Sequence, residues 1–104
     1  MPEPGLTHRF PMLKRAADHL AKQGRFDESV RILEEMFSLA PDDAGLSKLK
    51  ARFAADLIKK AVQAQRIEAG TKIVQLLDTL VAPEHLGDQE RELLSKAKES
   101  LYSL

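Results

Sequence analysis

The sequence predicts an all-α protein of five helices, two helical hairpins followed by a closing helix. Three observations carry this expectation. Apolar residues recur with helical period from residue 10 onward. Strand signals are nearly absent, with no Asn-Gly or Asp-Gly hairpin turn and no useful alternation of β-branched residues. The breakers Gly24, Pro41, Pro83 and Gly87 fall between the periodic stretches, which leaves short connections and antiparallel neighbours.

Residues 1–9 read as a flexible tail, with two prolines, one glycine and no period. The first helix is expected from Pro11, since proline suits the first helical position. Leu13, Ala16, Ala17 and Leu20 then share a face, and Gly24 ends the helix. Asp27 is the expected N-cap of the second helix, whose apolar face is Val30, Leu33, Met36, Phe37 and Ala40. Pro41-Asp42-Asp43 stops it. The third helix runs from about Leu46 to Gln65, with Leu46, Leu49, Phe53, Leu57, Ala61 and Ala64 as its main stripe. Ala51, Ala54, Ala55, Ile58 and Val62 widen that stripe, so this helix should pack on more than one side. The fourth spans about Ala69 to Val81, with Ile73, Val74, Leu76, Leu77 and Leu80 inward. The fifth spans about Asp88 to Tyr102, with Leu93, Leu94, Ala97 and Leu101 inward.

Bulk composition narrows the function. The 104 residues fit one domain, 1–104, and 43% hydrophobic with 31% charged residues suits a folded core. There is no cysteine, which removes disulfides, thiolate nucleophiles and cysteine-based zinc sites. The formal net charge of zero argues against nucleic acid as partner, whose binding depends on neutralising phosphates. No apolar run approaches the roughly 18 residues of a membrane span, and the N-terminus does not read as a signal peptide. The expectation is a cytoplasmic protein that does not bind membranes.

No constellation points to catalysis. His8, His19 and His85 are far apart, and none has a partner at helical zinc-site spacing, so all three read as solvated. No serine sits in a Gly-x-Ser-x-Gly elbow, and the five glycines are isolated. Glu34-Glu35 and Asp42-Asp43 read as solvated face and helix-end turn. The chain is therefore expected to be no enzyme, with no metal and no cofactor.

Zero net charge conceals an asymmetry. From Asp27 to Asp43 there are six acidic residues and one arginine; from Lys48 to Arg66 there are six basic residues against Asp56 alone. At about 100° per residue, Lys48, Arg52, Lys59 and Arg66 fall within an arc of roughly 40°. That arc lies opposite the apolar stripe.

The segment Phe10 to Asp43 has about the 34-residue period of the tetratricopeptide repeat (TPR). It resembles that family most clearly in Lys22-Gln23-Gly24-Arg25-Phe26-Asp27-Glu28-Ser29-Val30, which looks like the inter-helix turn. Pro41 stands where the family places its terminal proline, and Ala17 and Ser29 take the small positions of helix contact. Leu13 and Leu20 replace the usual aromatic residues. Aligning Ile67 with Phe26 makes a second, divergent repeat over residues 44–84, in which residues 44–50 extend the third helix and Gly70 matches Ser29. Residues 85–104 are then the capping helix. The resemblance implies a right-handed TPR-like stack of hairpins and a non-enzymatic protein–protein interaction module, an adaptor or scaffold. It also implies a concave groove lined by the first helix of each hairpin. Carried over, that groove shows Lys14, Asp18, Ala21 and Lys22 from the first unit, and Arg52, Ala55, Asp56, Lys59, Val62 and Gln63 from the second. The basic arc coincides with it, so an acidic segment of a partner polypeptide is the expected occupant. The alternative is a structural subunit that homodimerises or joins a larger complex, with Phe10, Met12 and Leu104 as exposed apolar surface, because two repeats are fewer than a stable array usually needs.

Overall fold

In the computed structural model the backbone is described for residues 4–104 and the side chains for residues 9–104. The described residues form α1 (Pro4–Lys22), α2 (Phe26–Phe37), α3 (Ala44–Gln63), α4 (Ile67–Leu80) and α5 (Asp88–Tyr102), with a short 3-10 turn at Pro83–His85. There is no strand among them. The expected all-α class and the five helices are therefore observed.

α1 and α2 pair as one hairpin and α3 and α4 as the next. The first helices line up, α1 touching α3 and α3 carrying α5, while α2 lies against α4 in a second row. The Cα envelope of 45 × 30 × 18 Å suits two layers of helices. α3 touches all four other α-helices. That matches its wide apolar arc: Ala51, Phe53, Ala54, Ala55, Leu57, Ile58 and Ala61 are all buried. Small side chains dominate this set, so neighbouring helices can approach it closely.

The two inter-helix turns have the same geometry. Gly24 sits at φ +78°, with Arg25 N–H donating to the Leu20 carbonyl (2.9 Å) and Gly24 N–H to that of Ala21 (3.0 Å). Gln65 sits at φ +58°, with Arg66 N–H donating to Ala61 (2.7 Å) and Gln65 N–H to Val62 (3.0 Å). Both are the paired bonds that close a helix through a left-handed residue. The second uses glutamine where the first uses glycine. The next contact also corresponds. Buried Ser29 donates to the Ala17 carbonyl at 2.7 Å, drawing α2 onto α1. At Gly70, the matching position, a Cβ would lie 2.7 Å from a methyl of Leu101, so its absence lets α5 close onto α4.

Several expectations are corrected. α1 begins at Pro4, so residues 4–9 are helical and not a tail; residues 1–3 and the side chain of His8 lie outside the described residues. Pro4 takes the first helical position expected of Pro11, and Pro11 lies inside the helix with no N–H for the carbonyl four residues back. Arg25, not Asp27, is the N-cap residue of α2; Asp27 lies in the first turn, where a negative charge still meets the helix dipole. Asp43 is a true cap of α3, its Oδ1 accepting from Leu46 N–H at 2.9 Å. On α3, Leu49 and Ala64 are exposed while Lys50 is fully buried. The Lys50 ammonium donates to the Phe37 carbonyl at 2.9 Å and also to that of Leu39. These are carbonyls at the C-terminus of α2, so a cation sits at the negative end of that helix. Burial holds the Lys50 pKa below its usual value, with Asp43 pulling the other way.

Candidate functional site

α1 and α3 stand side by side and leave a cleft of about 520 Å3 between them. Lys14, Arg15 and Asp18 enter it from α1, and Arg52, Asp56 and Lys60 from α3. Pro11, Leu49 and Phe53 form its apolar part. Phe53 is buried, with the Lys14 ammonium 5.7 Å from its ring centroid, within range of a cation–π contact. Leu49 is 52% exposed, so it adds open apolar surface beside the buried ring. Below this cleft a second depression of about 360 Å3 holds Lys22, Lys60 and Gln63 over Ala21 and Phe26.

Seven of the ten residues expected in the groove thus line this seam: Lys14, Asp18, Arg52 and Asp56 above, Ala21, Lys22 and Gln63 below. Lys59 is exposed but lines neither hollow. Ala55 is buried beneath the surface and Val62 is half-buried, and neither lines a hollow, while Ala21, though buried, forms the floor of the lower one.

The charges divide into two groups. Lys60 pairs with Asp18 across the helices and with Asp56 on its own helix at 3.1 Å; Lys22 meets the other oxygen of Asp18 at 3.0 Å. Two cations and two carboxylates neutralise one another here. The bond from Lys60 holds the Asp18 carboxyl below its usual pKa despite partial burial. Burial disfavours the Lys60 ammonium, but its two carboxylate partners outweigh that and raise its pKa. Sequence reasoning passed over Lys60, although Asp56 and Lys60 stand at the i, i+4 spacing of a helical ion pair.

The upper end differs. Arg52 is committed to α5: its guanidinium donates to Glu90 Oε2 at 2.9 and 3.1 Å and to Gln89 at 3.2 Å. Glu90 is a buried carboxylate whose other oxygen accepts the Gly87 N–H at 3.0 Å. The Arg52 bonds, then the Gly87 bond, hold its pKa below the usual glutamate value. Arg52 is therefore first a tether between α3 and α5. Lys14 and Arg15 make no ion pair among the described residues.

One serine–histidine contact exists. Ser47 Oγ lies 3.0 Å from Nδ1 of His85 and 3.0 Å from the Asp43 carbonyl. The half-buried His85 is thus not simply solvated. Ser47 is 1% exposed and lines neither hollow, so the contact ties the turn at Pro83–His85 to α3. Among the described residues no three His, Asp or Glu side chains converge in a way that could hold a metal ion. No helix is long and apolar enough to cross a membrane.

No protein-family model matches this chain. No curated protein and no solved structure matches it either.

Proposed function

We propose that this protein is a non-enzymatic, TPR-like interaction module, an adaptor or scaffold that holds a segment of a partner polypeptide in the cleft between α1 and α3. The observation that carries the reading is the cleft itself: an apolar shelf of Leu49 and Phe53 beside Lys14 and Arg15, two cations with no carboxylate partner among the described residues. A segment with a large apolar side chain flanked by carboxylates complements that surface in shape and charge. The stacking of first helices in one row and second helices in another, with the same turn at Gly24 and Gln65, supports the TPR-like description.

The test is charge reversal at Lys14 and Arg15 together. Both side chains are exposed, so the fold should persist. Partner capture from native extract, and binding of an acidic leucine-containing peptide, should fall by about tenfold or more, since like charges across an interface repel. Unchanged capture by a folded variant rejects the cleft. Arg52 is unsuitable for this test, because its loss also releases α5.

The second reading, self-assembly, is favoured by the exposed apolar side chains Met12 (65% exposed) on α1 and Leu49 on α3, and by exposed Tyr102 and Leu104. Phe10, expected among these, is buried at 7% exposure. Light scattering over a concentration series separates the readings: a monomer throughout rejects assembly of copies.

A further inference from the structure

Large apolar side chains stand exposed at five of the described positions, and these fall at two places. Met12 and Leu49 belong to α1 and α3, the two walls of the cleft. Ile67, Tyr102 and Leu104 belong to the other place, where α4 begins and α5 ends. Those two ends touch, since Gly70 lies against the Leu101 side chain. Ile67 is one turn before Gly70, and Tyr102 follows Leu101. Ile67 is 48% exposed and Tyr102 67%, so neither is spent on the core.

Apolar side chains scattered singly over a surface need no explanation. These are grouped, and the two groups stand beside charges of opposite sign. In the cleft, Leu49 shares its hollow with Lys14 and Arg15. At the other place, Glu68 follows Ile67 in the first turn of α4, and Glu99 is one turn before Tyr102 on α5. None of these four charges enters an ion pair among the described residues. Arg66, next to Ile67, offsets part of the negative charge there.

The two surfaces share no residue. A contact between them therefore joins unlike faces of two copies. It leaves one face of each kind free on the pair, so growth continues to a ring or an open chain.

We propose that the occupant of the α1–α3 cleft is a second copy of this chain, which presents the joined ends of α4 and α5. Ile67 and Tyr102 of that copy cover the open apolar surface at Leu49, and its Glu68 and Glu99 meet Lys14 and Arg15. This names the partner for the cleft and rests on the cleft reading.

The experiment is sedimentation of the full chain over a concentration series. The expected mass rises with concentration and passes two chains. Reversing the cleft charges, Lys14→Glu with Arg15→Glu, should weaken assembly by about tenfold or more, and so should Glu68→Lys with Glu99→Lys. All four positions are exposed, so circular dichroism should be unchanged. Mixed in equal amounts, the two variants should assemble again, because each then meets its complement. Ile67→Ser with Tyr102→Ser adds no charge and should weaken assembly as well. Three results overturn the proposal: a plateau at two chains, assembly that survives either charge reversal, or a monomer at every concentration. A monomer whose cleft still binds the acidic leucine-containing peptide removes the second copy as occupant and leaves the cleft reading standing. A monomer that binds no such peptide overturns both.

Discussion

Lys50 is the residue whose setting departs furthest from its chemistry. A lysine at 0% exposure persists because its ammonium satisfies two carbonyls that the end of α2 leaves without helical partners. Lys50→Met keeps the length and removes the donor, so it should destabilise the protein by about 1–3 kcal/mol in urea unfolding, the penalty for unpaired buried carbonyls. Asp18 and Glu90 also stabilise the fold, in a way that depends on pH. Their pKa values are lower in the folded chain than in the unfolded one, so the unfolded state binds more protons in acid. Their stabilisation is complete above the ordinary carboxylate values, 3.8 and 4.5, and is lost as pH falls through the depressed values. Urea midpoints measured down the pH scale should decline from about pH 4.5, and Asp18→Asn with Glu90→Gln should flatten that decline. These settings were only partly legible. Lys50 stands at i+4 from Leu46 and i−3 from Phe53, a spacing that places it on the inward face, yet its charge made it read as surface. The Asp18–Lys60 and Arg52–Glu90 pairs join residues 42 and 38 positions apart, and no local pattern announces them.

At the scale of the element, the two turns offer a matched comparison. Gly24 has open space where a Cβ would go, so the effect of Gly24→Ala is conformational alone: about 1 kcal/mol of destabilisation from the left-handed backbone. Gln65 already carries that strain, and Gln65→Gly should stabilise the chain by up to about 1 kcal/mol, measured by thermal and urea melts together. Gly70→Ala acts differently. Its new methyl meets the end of the buried Leu101 side chain, so that side chain must turn or α5 must shift, and amide exchange in α5 should quicken. Helix boundaries were legible where a breaker and a change of period coincided. α5 runs over Asp88–Tyr102 as expected, because Gly87 precedes an uninterrupted amphipathic stretch. The start of α1 was not, because Pro4 and Pro11 offer the same local signal and only packing distinguishes them. Phe10, one turn before the expected core, is buried and shows that packing extends further back.

For the whole molecule, α3 is the common support. Leu57 is 1% exposed at its middle. Leu57→Ala should lower stability by about 2–5 kcal/mol, and circular dichroism and near-ultraviolet absorbance should still report one coincident transition. Separate transitions for the two hairpins would contradict a core shared through α3. The seam between α1 and α3 was legible as a charged face because a helix turns about 100° per residue, which groups Arg52 and Asp56 correctly. The division of that seam into a neutralised lower half and a cationic upper end was not, since it depends on how two helices stand across from each other. Leu77 and Leu94, by contrast, read as core from their helical period, and the structure buries both.

The buried ammonium has a consequence for chemical labelling. Among the described residues, Lys50 is the one lysine wholly enclosed. An amine-acylating reagent applied to the native protein will modify the exposed lysines and spare Lys50, so mass spectrometry of a single tryptic region reads how often the junction of α2 and α3 opens. The same footprint, taken with and without a bound partner, measures from within the chain whether docking at the α1–α3 cleft stiffens the molecule.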